Sequence, residues 1–277
     1  MPILEAGALD LRFANLDALR LHEEDDPYRV RRLQRALAED GVQRNPVIVS
    51  EHAHHLIVLD GATRTSALRE LGYRDVLVQV VDYHSDQIEL GVWHHVIVGM
   101  TANRLLAELA DVEALSIEPA DPASIRRMLA DREIVGCIIM RNGQEFAVLA
   151  EGDINSQATS LCQLVAVYRG KARVHRTTTV ELPALTEEYP DLAAVVAFPQ
   201  YEADEIVQIA QEGDKVPMGI TRHVIAGRAL GVGVPLTMLT DEQSLQEKND
   251  WLRGFIRQRL HANKIRLYQE PVFLFDE

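Results

Sequence analysis

In this 277-residue sequence the pattern most suited to chemistry is Leu59-Asp60-Gly61-Ala62-Thr63-Arg64, where an apolar run gives way to a helical pattern. A strand-to-helix turn aims unsatisfied backbone N–H groups and the positive end of the helix dipole at one spot, which is an anion site. Arg64 adds a forked donor suited to phosphate or carboxylate. The same residues also suit a plain cap, with Asp60 accepting from the helix start and Gly61 relaxing the turn. Upstream, Leu21-His22-Glu23-Glu24-Asp25-Asp26-Pro27 sets an acidic run before the first helix. One of these carboxylates could take a proton from an alcohol attacking a phosphoryl group, or the run could complement the helix dipole. Late in the chain, Gly219-Ile220-Thr221-Arg222-His223 and Gly227-Arg228 gather polar and cationic groups between two glycines. Trp93 can serve as a stacking platform or as core, and His94 and His95 suit a polar edge. His52, His54 and His55 recur without a carboxylate or cysteine at ligand spacing, so a hairpin tip fits them better than zinc, and no metal-ligating residue is assigned.

The elements that must hold these residues follow from periodicity. Val30, Leu33, Ala36 and Leu37 predict a helix over 26–40, ended by Gly41. Short β-branched runs at 46–49 and 56–59 predict a hairpin, followed by a helix over 63–71 and a buried strand over 76–81. The middle of the chain predicts helices over 102–111 and 122–132 and strands over 134–140 and 145–150, with no chemistry assigned between 100 and 180. A helix over 203–212, a final helix over 241–262 carrying Lys248, Arg253, Arg257 and Arg259, and a closing strand over 265–275 complete the pattern.

Composition bounds the function. Two domains fit the length. With 47% hydrophobic and 25% charged residues the chain is an ordinary globular sequence. Its net charge of −14 repels a phosphate backbone, so neither nucleic acid nor, without an apolar run of membrane length, a membrane is expected as partner. Cys137 and Cys162 are the only cysteines, which together with the absence of a basic, apolar leader fits the cytoplasm.

Taken together, Leu21-His22-Glu23, Gln43-Arg44-Asn45-Pro46 opening a strand, and the Asp60–Arg64 turn resemble the ParB/sulfiredoxin-type nucleotide-binding domain. Within that superfamily the sequence is most similar to free L-serine kinases of the siderophore-pathway and archaeal ADP-dependent types, and the Gly219–Arg228 segment resembles their late substrate motif. The resemblance implies an α/β (α+β) fold: a ParB/sulfiredoxin-like nucleotide-binding domain over 1–96, a C-terminal α/β substrate domain over 97–277, and a cleft between them. It implies transfer of a phosphoryl group from ATP or ADP, with Mg2+, to the hydroxyl of L-serine, giving O-phospho-L-serine for cysteine or siderophore-precursor biosynthesis. By the same resemblance Glu23 and Asp60 are catalytic, with Glu23 the base. Gly61, Ala62, Thr63 and Arg64 bind nucleotide phosphates, and Trp93, Thr221, His223 and Arg228 bind substrate. Where many relatives carry histidines in the turn, this chain has Ala62 and Thr63. The rival expectation is a ParB-like nucleotide-sensing regulator that binds DNA, since one fold serves both. No helix-turn-helix follows the first domain, and Glu242, Glu247 and Asp250 interrupt the basic residues of the last helix. A sulfiredoxin-like reductase would need a cysteine nucleophile in the turn, which has none.

Overall fold

The β-branched runs of the first eighty residues fold as strands of a mixed sheet in the computed structural model, which describes residues 9–240 and 243–267. Asp10–Asn15 runs antiparallel to Asp75–Val80, which lies parallel to Val47–His52, and that strand pairs antiparallel with His55–Asp60. The last two form the expected hairpin, with Ala53 at φ 52° in its tight turn. Near its far end the pairing shifts between Ile48 and Val49, so that Ile48 faces Asp60 while Val49 faces Val58. Such a bulge bends the strand and re-aims its terminal side chain. Here it delivers Asp60 to the start of the helix Ala62–Glu70. That helix packs on Pro27–Asp40, whose Val30 and Leu37, seven residues apart, are buried on one stripe.

The packing divides the chain into two compact units, and neither is continuous in sequence. The first comprises the described residues up to Leu19, Pro27–Asp82 and those from Ile225 on; the second comprises Arg20–Asp26 and Tyr83–Val224. These units differ in extent from the domains expected over 1–96 and 97–277. Residues 83–96 pack with the second unit, and the end of the chain returns to the first because its contacts are there. Val234–Pro235 pairs with Val42–Gln43. On the final helix, Leu245–His261, Asn249 exchanges hydrogen bonds with both backbone groups of Phe13, and fully buried Lys248 meets buried Asp75 at 2.6 Å. Lys248 is therefore an internal cation and no part of a basic surface. Arg253 pairs with Asp250, and Arg259 lies over the Phe255 ring. This helix begins later than expected, with a Ser244–Glu247 capping box. Residues 241 and 242, and most of the expected closing strand, lie outside the described residues.

The second unit is built on a six-stranded antiparallel sheet in the order Arg173–Thr177, His94–Val98, Leu192–Ala197, Gly136–Met140, Glu145–Leu149 and Ser116–Pro119. Val96, Val98, Cys137, Ile139, Val195 and Ala197 pack on one face with Ile125 and Leu185 from helices. The other face takes the helix Ile154–Tyr168, approached closely enough that a Cβ at Gly136 would lie 3.0 Å from a Leu164 methyl. The expected middle elements are present as Ala102–Ala110, Pro122–Ala130, Gly136–Met140 and Glu145–Leu149. His95 is no edge residue: it is buried in the second strand of the sheet, with Nδ1 2.8 Å from the Tyr168 hydroxyl. Burial lowers the pKa of buried His95 to about 3 and that of half-buried His94 to about 4, so both rings are neutral at physiological pH. The strand Thr221–Ile225 pairs separately with Ile88–Val92. Among the described residues no helix is long and apolar enough to cross a membrane.

Candidate active site

The first unit gathers Asp60, the turn after it, Arg64 and Arg228. Gly61, at φ 104°, is the N-cap of the following helix, and no side chain caps it. Asp60 is consequently not a helix cap, and the first-turn N–H groups keep their pull on an anion. The backbone favours glycine at 61, and a side chain there would displace Arg64. Its φ lies in the left-handed region, and a Cβ there would lie 2.6 Å from Nη1 of Arg64. The guanidinium of Arg64 folds against the turn, and Nη1 donates to the Pro46 carbonyl at 2.7 Å. Burial and the neighbouring charge of Arg228 lower the pKa of Arg64, and Asp60 acts in the opposite direction. One guanidinium nitrogen thus ties the start of the helix to the segment that opens the neighbouring strand Val47–His52.

Arg228, expected beside Thr221 and His223, packs with the first unit, where it donates to Oδ2 of Asp60 at 2.6 Å. Its position is set by Gln79, a buried polar residue flanked by valines in the strand Asp75–Val80. Gln79 donates to the Gly227 carbonyl at 3.0 Å and accepts from the Ala229 N–H at 2.8 Å, clamping the backbone on either side of Arg228. Asn45 accepts from Gly231 N–H at 2.8 Å in the same loop. Sequence reasoning missed Gln79, although a glutamine in a buried β-branched run is the signal that marks it.

The second unit gathers Glu23, Thr221, His223 and Trp93. Glu23 forms a parallel bridge with Val216, held by Glu24 N–H to the Val216 carbonyl at 2.9 Å and Val216 N–H to the His22 carbonyl at 2.8 Å. In an extended segment successive side chains point to opposite sides. Accordingly Oε2 of Glu23 accepts from Gly219 N–H at 2.9 Å, whereas Oε2 of Glu24 takes Nη1 of Arg169 at 2.6 Å. Gly219, at φ 75°, also lies in the left-handed region.

Behind Glu23 four side chains, Thr221, His22, His223 and Tyr83, lie in contact one after another. Nε2 of His22, a buried residue, lies 3.0 Å from the Thr221 hydroxyl, the His22 ring meets His223 edge-on, and Nε2 of His223 lies 2.7 Å from the Tyr83 hydroxyl. Burial, aided by His22, lowers the pKa of His223 to about 3, so it offers neutral hydrogen-bonding nitrogens at physiological pH. Trp93 donates its backbone N–H to the Ile220 carbonyl at 2.8 Å, and its ring lies under the guanidinium of Arg222, 5.2 Å from the ring centroid. The arrangement supplies a carboxylate oriented by a backbone donor, a hydroxyl oriented by a histidine, and an aromatic plane. Arg222 belongs to the polar and cationic segment already marked in the sequence, whereas His22 and Tyr83 were given no role there; His22 adjoins the acidic run, and Tyr83 is revealed by its contact with His223.

No known protein-family model matches the chain. Among curated proteins it is 26% identical over 270 residues to the ATP-dependent L-serine kinase SbnI of Staphylococcus aureus, covering 96% of this chain and 97% of that one. It is 31% identical over 148 residues to an ATP-dependent L-serine kinase of Staphylothermus marinus, covering 52% of this chain and 56% of the relative. Among solved structures, a free serine kinase in complex with AMP superposes with a TM-score of 0.72 at 20% identity, over 83% of this chain and 94% of that one. A C-terminally truncated SbnI superposes with a TM-score of 0.71 at 22% identity, over 94% of this chain and all of the other. The fold of this chain is the fold of those structures.

Proposed function

We propose that this chain is a free L-serine kinase of the ParB/sulfiredoxin-type superfamily, transferring a phosphoryl group from ATP to the serine hydroxyl to give O-phospho-L-serine. The observation that carries the reading is the Glu23 carboxylate, fixed by the Gly219 N–H two residues from Thr221, in a chain alike over nearly its whole length to an L-serine kinase. ATP is taken as the donor because both curated relatives bear the name ATP-dependent.

The roles follow from the chemistry of each group. Phosphoryl transfer is largely positioning and charge stabilisation, and its acceptor alcohol needs a base for its proton. Glu23 is that base: one oxygen is held by Gly219, and its second oxygen receives the serine hydroxyl proton. Thr221 and His223, both neutral, orient serine, and Trp93 walls its side. In the first unit the uncapped N–H groups of Ala62, Thr63 and Arg64 take nucleotide phosphate, with Gly61 giving the backbone room to approach. Arg64 keeps Nη1 on Pro46 and offers its remaining N–H groups to the same phosphates. Arg228 holds Asp60 through one carboxylate oxygen, and the other suits a hard divalent cation, which Mg2+ sites typically complete with phosphate oxygens. Asp60 would contribute one ligand to such a cation, whose chemistry when bound with the nucleotide would be to neutralise charge on the phosphates. The reaction as a whole asks both groups of residues to act on one phosphoryl group.

We place the reaction in the cytoplasm, where ATP is supplied, and expect no part in it for nucleic acid, given the net charge of −14. The test is to incubate purified protein with L-serine, Mg2+ and ATP or ADP, and to follow O-phosphoserine. Formation dependent on serine and ATP is expected, and its absence with either nucleotide refutes the reading.

A further inference from the structure

We propose that Arg176 holds the α-carboxylate of the amino-acid substrate and so confines the enzyme to free serine over serine whose carboxylate is blocked. The inference rests on the serine kinase reading above and adds a substrate-recognising group from the middle of the chain, to which no chemistry was assigned.

A Cβ at Gly219 would lie 1.6 Å from Nη2, 2.2 Å from Cζ and 2.8 Å from Nε of Arg176. The guanidinium therefore lies across Gly219, the residue whose N–H holds Oε2 of Glu23 at 2.9 Å. A cation and the proposed base flank one glycine, which has room for the cation because it lacks a side chain. Arg176 reaches this place from a sheet strand, paired opposite His95, and a strand fixes its Cα more tightly than a loop would. Its side chain is exposed, so a ligand can reach it.

Free serine brings a hydroxyl, an ammonium and a carboxylate to the site. Glu23 answers the first, and Thr221 and His223 are neutral. The carboxylate calls for a forked cation, which pairs with it through two parallel hydrogen bonds. Two other arginines of this unit lie near these residues, and both are directed elsewhere: Arg222 lies on the Trp93 ring, and Arg169 pairs with Glu24 on the opposite side of the segment from Glu23. Arg176 is the one that lies against the glycine binding Glu23. A guanidinium placed there discriminates by charge: it loses its partner when the carboxylate becomes an amide.

The experiment is calorimetric titration of the full chain with L-serine and with L-serinamide, for wild type, Arg176→Ala, Arg176→Lys and Arg222→Ala. Losing a hydrogen-bonded charge pair should weaken serine binding by about 10–150-fold in Arg176→Ala. Partial recovery is expected in Arg176→Lys, which keeps the charge and loses the fork. L-Serinamide should bind wild type and Arg176→Ala alike. Equal weakening of both ligands, unchanged serine binding in Arg176→Ala, loss confined to Arg222→Ala, or failure of wild type to bind serine would each overturn the proposal. Because binding is read without turnover, a protein that binds serine through Arg176 yet forms no phosphoserine counts against the kinase reading alone.

Discussion

Replacing Glu23 by glutamine separates basicity from shape. The glutamine carbonyl can still accept the Gly219 N–H that now reaches Oε2 at 2.9 Å, so the backbone bridge to Val216 and the placement of the side chain survive. What disappears is the ability to take a proton. General-base catalysis is worth about 10²–10⁴-fold, so kcat for phosphoserine formation should fall by that factor, about 3–5 kcal/mol of transition-state stabilisation at 1.36 kcal/mol per decade. Serine and nucleotide affinities should change by less than about threefold, because the lost function is exercised only in the transition state. Glu24 supplies the control. Its carboxylate pairs with Arg169 away from Glu23, and both side chains are about a third exposed, a pair worth roughly 0–1 kcal/mol. Glu24→Gln should therefore keep kcat within a fewfold of wild type. The assay is steady-state phosphoserine formation with affinities measured separately. A Glu23→Gln enzyme of undiminished kcat, or one no worse than Glu24→Gln, would refute the assignment.

Three further outcomes follow from the geometry. Gly61→Ala forces a Cβ to within 2.6 Å of Arg64 at a φ of 104°, so it should weaken nucleotide binding by about tenfold or more while serine binding is retained, as read by titration with each ligand. Lys248→Met strands a buried carboxylate on Asp75 and should destabilise the fold by about 3–5 kcal/mol in urea unfolding, with Lys248→Met/Asp75→Leu recovering much of the loss. His94, His95 and His223, with pKa values depressed by burial to about 4, 3 and 3, take up protons on unfolding below about pH 6.5. The stability they contribute is full above the unfolded pKa and is lost as pH falls toward the folded values, by about 2 kcal/mol for each between pH 7 and pH 5. Urea midpoints at the two pH values measure it, and an unchanged midpoint would show that these rings are protonated in the folded protein.

Local signals were the legible ones. The hairpin, the helix stop at Gly41 and the Asp60–Arg64 turn depend on residues within a few positions of each other, and periodicity and turn chemistry describe them well. What escaped depends on pairing across long separations. Arg228 meets Asp60 across 168 positions and Glu23 meets Gly219 across 196. No period relates such partners, so Arg228 was grouped with its sequence neighbour His223 instead of with Asp60. The discontinuous units have the same origin, because Val234–Pro235 and Lys248 choose their partners by burial and not by position along the chain. Arg176 falls in the stretch to which no chemistry was assigned, since its closeness to Gly219 exists only after the strand and the glycine turn have come together. Lys248 read as a surface charge because a buried lysine and an exposed one look alike in a helical pattern.

The most direct test of the account is phosphorus NMR of the purified chain incubated with L-serine, Mg2+ and ATP. A phosphomonoester resonance that coincides with authentic O-phospho-L-serine and grows with time is expected, absent when serine is omitted and at least about 10²-fold slower when Glu23 is glutamine. Nucleotide hydrolysis to inorganic phosphate with no serine-dependent phosphomonoester would contradict it.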